Sequence, residues 1–340
     1  MRFIKALLLV IIGLVVFSCV KEDQAADTFI MPLDIQYQRE SVSIEKFLDE
    51  YQMNVDPANI ENVTFEKLVA PIDPSKSIRV EHASKLKFKM VKSNGVNYKV
   101  YYVELREGSG DGIEQQNPIF VDSVLVNYRG LLLNKKANYK EDESFEKNQT
   151  FDSRTHLPYW NSLPNFVEGW GSILQMFKPG TQTVDPATNV ITYNDFGAGV
   201  MFLPSGLAYY ASSQGTIPAY SPLIFTFSLK RIHHVDTDFD GIDTIDEDVN
   251  GNGKYGDDDT DGDGRPNYMD IDDDGDGKLT KAELKYSVFK DGVTNYFYYQ
   301  YSGAAVDDLS TPQDERGAPD CSGDQISSTR VRKYLDKNCQ

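Results

Sequence analysis

Residues 126–130 read VNYRG and residues 166–170 read FVEGW, and these two stretches decide the fold. The first belongs to an alternating apolar run over residues 122–133, a pattern that is typical of a half-buried strand. The second leads into a short helix predicted over residues 171–177, which a Pro-Gly pair ends. Together they predict a strand, a connecting segment and a short helix that pack on one another.

Three further runs, rich in β-branched and aromatic residues, predict strands at residues 100–105, 200–203 and 223–232. Gly-rich residues 107–112 predict a turn, and the charged residues 135–148 predict an exposed loop. Several strands around one short helix are the pattern of an α+β fold with an antiparallel sheet.

The same part of the chain carries four more uncommon pieces in a fixed order. Residues 151–153 read FDS, 207–209 read LAY, 216–218 read TIP and 223–225 read LIF. With the two stretches quoted first, they closely resemble the FKBP-type peptidyl-prolyl cis-trans isomerases. The resemblance covers about residues 99–233, and six pieces in register make it specific.

The resemblance implies a curved antiparallel sheet wrapped on the short helix, with a hydrophobic cleft between them. In that family, the hydroxyl at the Tyr209 position and the backbone N–H at the Ile217 position receive substrate carbonyls. Trp170 would form the floor, and Asp152 would be the buried carboxylate of the motif. The site residues implied are Tyr128, Phe151, Asp152, Val167, Trp170, Tyr209, Ile217 and Phe225.

Such a cleft suits prolyl isomerisation without a nucleophile or a catalytic cofactor. Rotation about the peptide C–N bond opposes a barrier of about 18–20 kcal/mol, because amide resonance must be broken. Water favours the planar, more dipolar amide, so a dry aromatic cleft that binds a twisted proline lowers the barrier. Tyr210, Ala219 and the long segment 181–199 depart from the family pattern.

The aromatic residues leave two questions open: whether they form a cleft or only core, and whether a cleft would be catalytic. Aromatic side chains in a half-buried sheet can simply form core. A second function, of another class, is a non-catalytic, calcium-stabilised surface interaction or adhesion lipoprotein that uses the cleft for binding. An isomerisation assay distinguishes it from an enzyme that acts on proline-containing polypeptide clients.

The negative charge of the chain is concentrated in one segment. The 340 residues carry 34 Lys and Arg against 52 Asp and Glu, a net charge of −18. Residues 236–283 alone contain 18 acidic and four basic residues, a net charge of −14. An acidic surface repels phosphate, so a nucleic-acid partner is not expected.

This acidic segment repeats the pattern D-x-[DN]-x-[DN]-G with an oxygen ligand at position 12, as in EF-hand loops. Because the flanks are not long helices, the spacing looks more like thrombospondin type-3 repeats, in which loops wrap around structural Ca²⁺. The rival interpretation is a disordered acidic linker. The predicted ligands are Asp236, Asp238, Asp240, Glu247, Asp248, Asn250, Asn252, Asp259, Asp261, Asp263, Asn267, Asp270, Asp272, Asp274, Asp276, Thr280 and Glu283.

The N-terminus predicts export. Arg2 and Lys5 precede an apolar run that ends in Val-Phe-Ser-Cys, which resembles a bacterial lipobox with Cys19 as the lipidated residue. An ordinary signal peptide or an uncleaved anchor are the alternatives. Because Val20 is not an inner-membrane retention signal, we expect an outer-membrane lipoprotein, periplasmic or surface-exposed, which is anchored through its lipid.

The other two cysteines, Cys321 and Cys339, predict a disulfide in an oxidising compartment, with two free thiols as the alternative. We expect a monomer whose chain has five segments. They are a signal peptide (1–18), a tether and small N-terminal region (19–97) with a helix at 43–51, the isomerase-like domain (98–233), the calcium loops (234–284) and a tail (285–340).

Overall fold

The computed structural model describes residues 30–110, 116–133, 150–299, 317–327 and 329–339, except for the side chains of residues 155–158. The predicted signal sequence with Cys19 and the predicted charged loop at 135–148 lie outside the described residues. None of the helices within the described ranges is both long and apolar enough to cross a membrane.

The described chain is rich in strands. Its α-helices are α1 (Leu33–Glu50), α2 (Ile78–Glu81), α3 (Glu168–Leu174) and α4 (Thr280–Glu283). Its first six strands are β1 (Tyr51–Asp56), β2 (Asn59–Lys67), β3 (Leu86–Ser93), β4 (Val96–Arg106), β5 (Ser123–Leu132) and β6 (Thr150–Ser162). The others are β7 (Thr181–Val184), β8 (Ile191–Asn194), β9 (Gly197–Leu203), β10 (Leu223–His233), β11 (Lys285–Lys290) and β12 (Val293–Tyr298).

A six-stranded antiparallel sheet with the order β3-β4-β9-β10-β5-β6 forms the centre of the molecule. Helix α3 packs on one face of it, where Trp170, Ile173 and Leu174 are fully buried with strand residues such as Phe227. The predicted α+β arrangement of an antiparallel sheet around a short helix is therefore confirmed. The segment 181–199 that departs from the family pattern forms the β7–β8 hairpin and the start of β9.

The opposite face of the sheet is covered by the N-terminal region. Helix α1 and the β1–β2 hairpin contribute a second apolar core, in which Phe47, Leu48 and Phe65 pack with Phe202 of β9. Strand β9 is consequently buried along its whole length, which explains its unbroken run of small and apolar residues, GAGVMFL.

Residues 33–42 were expected to belong to a tether, but they are helical, and α1 begins at Leu33. The helix escapes a search for apolar periodicity because two residues of its buried face, Gln36 and Glu40, are polar. The sheet likewise begins earlier than residue 98, since β3 already pairs with β4 from Leu86.

Glu40 connects α1 through hydrogen bonds to the loop that precedes Tyr209. Its carboxylate accepts the backbone N–H of Ser205 at 2.7 Å, the Ser205 hydroxyl at 2.5 Å and the Gln36 amide at 2.6 Å. Burial raises the pKa of Glu40 to about 7, although these three hydrogen bonds act in the opposite direction. The N-terminal helix thus supports the part of the chain that forms one wall of the cleft described below.

This arrangement predicts a pH-dependent effect of Glu40→Gln. Because burial raises the folded-state pKa of Glu40 from its ordinary value of 4.5 to about 7, protonated Glu40 stabilises the fold fully below pH 4.5, and this contribution is lost as the pH rises through about 7. Relative to wild type, the variant should gain up to about 3 kcal/mol across that window. Denaturant unfolding at several pH values measures the difference. A stability difference between Glu40→Gln and wild type that does not change with pH would contradict the prediction.

The C-terminal part of the chain folds back on the acidic loops. Ile242 and Leu284 form a small third core with Ala318 and Tyr334 of the tail. The predicted disulfide between Cys321 and Cys339 is present.

Aromatic and polar contacts join the acidic segment, residues 236–283, to the six-stranded sheet. The ring of Phe120 contacts Tyr255 and Tyr268 with centroids 5.7 Å apart in each pair. His234 Nδ1 lies 2.9 Å from Oδ2 of the fully buried Asp122. The acidic segment is therefore packed against the sheet through Phe120 and Asp122, which precede β5, and through His234, which follows β10.

Candidate functional site

An aromatic cleft lies where β5, β6 and β10 meet α3. Its cavity has a volume of about 220 Å³. Seven of the eight predicted site residues line it, namely Tyr128, Phe151, Asp152, Val167, Trp170, Tyr209 and Phe225. The structure thus brings together residues that are up to 97 positions apart in the chain.

Trp170 forms the floor of the cleft and is only 1% exposed. Phe225 and Tyr128 contact it edge-on, with ring centroids 5.2 and 5.5 Å away, and Phe166 stacks on it at 4.7 Å. A Cβ at Gly130 would overlap the rings of Phe151 and Phe225, so the absence of a side chain there makes room for them. The result is a nearly continuous aromatic wall.

Asp152 supplies the only carboxylate among the residues that line the cleft. The Tyr128 hydroxyl donates a hydrogen bond of 2.6 Å to Asp152 Oδ2. Burial and this hydrogen bond raise the pKa of Tyr128 to about 12, although Arg154 acts in the opposite direction. Burial, and secondarily the charge of Asp152, also raise the pKa of Tyr209. Both tyrosines therefore keep their protons near neutral pH and can donate hydrogen bonds.

Ile217 is the one predicted residue that does not line the cavity. Its side chain is buried in the core beside α3, and its backbone N–H donates to the Gln214 carbonyl at 2.8 Å in a tight turn. Tyr210, which stands where the family pattern has Gly, has a φ of +48°. A tyrosine adopts this left-handed conformation at a cost of about 1–3 kcal/mol, which a glycine would avoid.

Five lining residues were not predicted: Arg154, Tyr159, Asn161, Asn165 and Phe166. Three of them lie on β6, a strand that the sequence pattern did not indicate, partly because it contains Pro158. This strand is at the edge of the sheet, where proline is tolerated. The pairing register also jumps between Tyr159 and Arg154, so that Pro158 falls in the irregular stretch.

The acidic segment forms four loops with one repeated geometry, which begin at Asp236, Asp248, Asp259 and Asp272. In each loop the backbone N–H of the glycine at position 6 donates to the carboxylate at position 1, at 2.7–3.1 Å. The N–H of residue 5 donates to the side-chain oxygen of residue 3, and that of residue 7 to residue 5.

All four of these glycines have positive φ: Gly241, Gly253, Gly264 and Gly277, at 105°, 75°, 98° and 90°. This is the conformation that glycine adopts most easily and that the sharp turn of such a loop requires.

The side chains at positions 1, 3 and 5 converge within three of the loops. The ligand atoms of Asp236, Asp238 and Asp240 lie within 4.8 Å of one another, and so do the equivalent aspartates that start at Asp259 and Asp272. The second loop places Asn250 and Asn252 at its corresponding positions. Converging carboxylate oxygens are ligands that suit Ca²⁺.

The glutamates at position 12 of the first and fourth loops, Glu247 and Glu283, are buried. Glu247 is grouped with Asp240 and with Asp273, a residue that was not among the predicted ligands. Burial first, and neighbouring aspartates second, raise the pKa of Glu247 to about 10 and that of Asp273 to about 9. Glu283 is 1% exposed, and Lys278 Nζ lies 3.6 Å from its Oε1.

Comparisons with known proteins find similar solved structures, two of which are described here, and one matching family. A peptidyl-prolyl cis-trans isomerase from Pseudomonas syringae pv. tomato strain DC3000 aligns with a TM-score of 0.32 and 18% identity, over 60% of this chain and 98% of that one. FkpA from Escherichia coli aligns with a TM-score of 0.29 and 23% identity, over 44% of this chain. This alignment spans about half of FkpA, 51% of its length.

The family described as BamM C-terminal matches residues 237–313, which include most of the four acidic loops and the β11–β12 hairpin. No curated protein matches the chain.

Proposed function

We propose that this chain is a peptidyl-prolyl cis-trans isomerase that acts on X–Pro bonds of exported proteins. The observation that carries the proposal is the convergence of seven residues, predicted from scattered motifs, on one aromatic cavity with a single carboxylate. A core built only for stability would fill such a space with side chains, whereas this cavity remains open to a ligand.

The cleft suits the reaction by excluding water and by orienting the peptide. Trp170, Phe225 and Phe151 surround a prolyl ring with apolar surface, so the planar amide loses the hydration that favours it in water. Tyr209 lines the cavity and keeps its proton, so we expect its hydroxyl to donate to a substrate carbonyl. Asp152 holds the Tyr128 hydroxyl in one orientation at 2.6 Å. No bond to the protein forms, because the barrier arises from amide resonance alone.

The test is a proline isomerisation assay on the chain without its first 18 residues. The slow cis-to-trans phase of a Xaa-Pro peptide takes tens to hundreds of seconds uncatalysed at about 25 °C. We expect its rate constant to increase in proportion to protein concentration. A folded preparation that leaves this phase unchanged would contradict the proposed activity and favour the non-catalytic alternative.

We further propose that the four loops bind Ca²⁺ as a structural ion and that lipid on Cys19 anchors the chain at the outer membrane. The converging carboxylates and the four positive-φ glycines support the first proposal. The second rests on the lipobox-like sequence at residues 16–19. Metabolic labelling with a radioactive fatty acid, lost in Cys19→Ala, tests it.

A further inference from the structure

Three carboxylates from two different loops meet inside the acidic module. Asp240 and Glu247 belong to the first loop, and Asp273 belongs to the fourth. Their ligand atoms all lie within 4.8 Å of one another. The three residues are 2%, 3% and 2% exposed, so the cluster is shielded from solvent.

Most oxygen atoms of this cluster have no hydrogen-bond partner among the described residues. Both carboxylate oxygens of Glu247, both of Asp273 and Oδ2 of Asp240 are buried without one. Lys281, a positively charged side chain near the first loop, donates a hydrogen bond to the Phe239 carbonyl at 3.0 Å and not to any of these five oxygens. Asp240 Oδ1 accepts the N–H of Ile242 at 2.8 Å. Burying the other five carboxylate oxygens without a hydrogen bond is costly, so the arrangement calls for a positive charge between the three side chains.

The loop pattern gives Asp273 no role of its own. It stands at position 2 of the fourth loop, where the other loops have Thr237, Val249 and Thr260. Its backbone N–H donates to the hydroxyl of Thr280 at 3.2 Å. The side chain lies with Glu247 of the first loop, 26 residues earlier in the chain, rather than with the three aspartates of its own loop.

We propose that Asp240, Glu247 and Asp273 together hold one divalent cation that joins the first loop to the fourth. This inference rests on the proposed binding of Ca²⁺ by the loops and adds a ligand that the repeat does not contain. A set of three carboxylates is all-oxygen and triply negative, which matches Ca²⁺ better than a soft transition metal. The cation makes the acidic module one unit by bridging its two ends.

The test compares Asp273→Asn with wild type in the otherwise unchanged mature chain. After removal of metal with a chelator, equilibrium dialysis against CaCl₂ and elemental analysis measure the Ca²⁺ bound per chain. We expect the variant to bind one Ca²⁺ fewer, or to bind that ion at least about tenfold more weakly. The rise in melting temperature on adding Ca²⁺ should also be smaller in the variant. Asp291→Asn, the same charge change in an exposed turn, should behave as wild type.

A double variant separates a shared ion from two independent ones. Glu247→Gln alone and Glu247→Gln with Asp273→Asn should each lose the same single Ca²⁺ if both residues hold one ion. Two ions lost in the double variant would overturn the shared site. So would an Asp273→Asn chain that binds as much Ca²⁺ as wild type with unchanged affinity and is more stable without metal, because that result describes an unoccupied acidic cluster. A wild-type chain that binds no Ca²⁺ would overturn the calcium proposal as a whole.

Discussion

Asp152→Ala should lower kcat/KM for prolyl isomerisation by about 10- to 100-fold while the protein remains folded. The change removes the acceptor of the 2.6 Å hydrogen bond from Tyr128. A hydrogen bond to a charged group contributes about 1.5–3 kcal/mol, and each 1.36 kcal/mol corresponds to a factor of ten in rate. The loss should appear in the rate because the freed Tyr128 ring can turn away from Trp170, whose centroid lies 5.5 Å from it.

Two control variants make this result interpretable. Asp152→Asn keeps an oxygen acceptor without the charge and should lose less activity than Asp152→Ala. Asp185→Ala changes an exposed aspartate in the β7–β8 turn, which does not line the cavity, and should leave kcat/KM unchanged. Protease-coupled or fluorescence-detected isomerisation gives the rates, and melting curves verify folding. Full activity in a folded Asp152→Ala protein would show that catalysis takes place elsewhere.

The cleft could be predicted because its residues belong to short local patterns. Phe151-Asp152 and Gly169-Trp170 are each adjacent in sequence, so each pair could be found without knowing how the sheet closes around it. Ile217 shows the limit of this approach, since its motif is present but its side chain enters the core and its N–H bonds Gln214. A motif specifies residue types, whereas the direction of a side chain depends on the local turn.

The parts of the fold that escaped prediction depend on contacts between distant residues. The start of α1 could not be recognised from apolar periodicity, because Glu40 on its buried face is polar. The burial of Glu40 depends on its hydrogen bond from Ser205, which lies 165 residues later in the chain. Asp273 falls at a position that the repeat leaves without a function, and its partner Glu247 lies in another loop. Periodicity and spacing describe neighbours along the chain, so they could not reveal either contact.

Removing divalent cations should destabilise the acidic module more than any single substitution proposed above. Residues 236–283 carry a net charge of −14, and the carboxylates of Glu247 and Asp273 are buried without hydrogen-bond partners in the part of the chain that the structure describes. An ion that binds only the folded state adds about 2.7 kcal/mol when its concentration is 100 times Kd. For extracellular loops with Kd near 10⁻⁴ M, about 10 mM Ca²⁺ meets that condition at each loop.

We therefore expect a chelator to lower the melting temperature of the module and to open residues 236–283 to proteolysis, with both effects reversed by excess Ca²⁺. Mg²⁺ at the same concentration should restore less stability, because it prefers rigid octahedral sites and keeps its water ligands. Asp276→Asn, which removes a carboxylate at position 5 of the fourth loop, should reduce the response to Ca²⁺ only in part, since three loops remain. A melting curve and a cleavage pattern that do not change with Ca²⁺ would contradict this prediction, because the carboxylates would then be tolerated in the folded module without any metal.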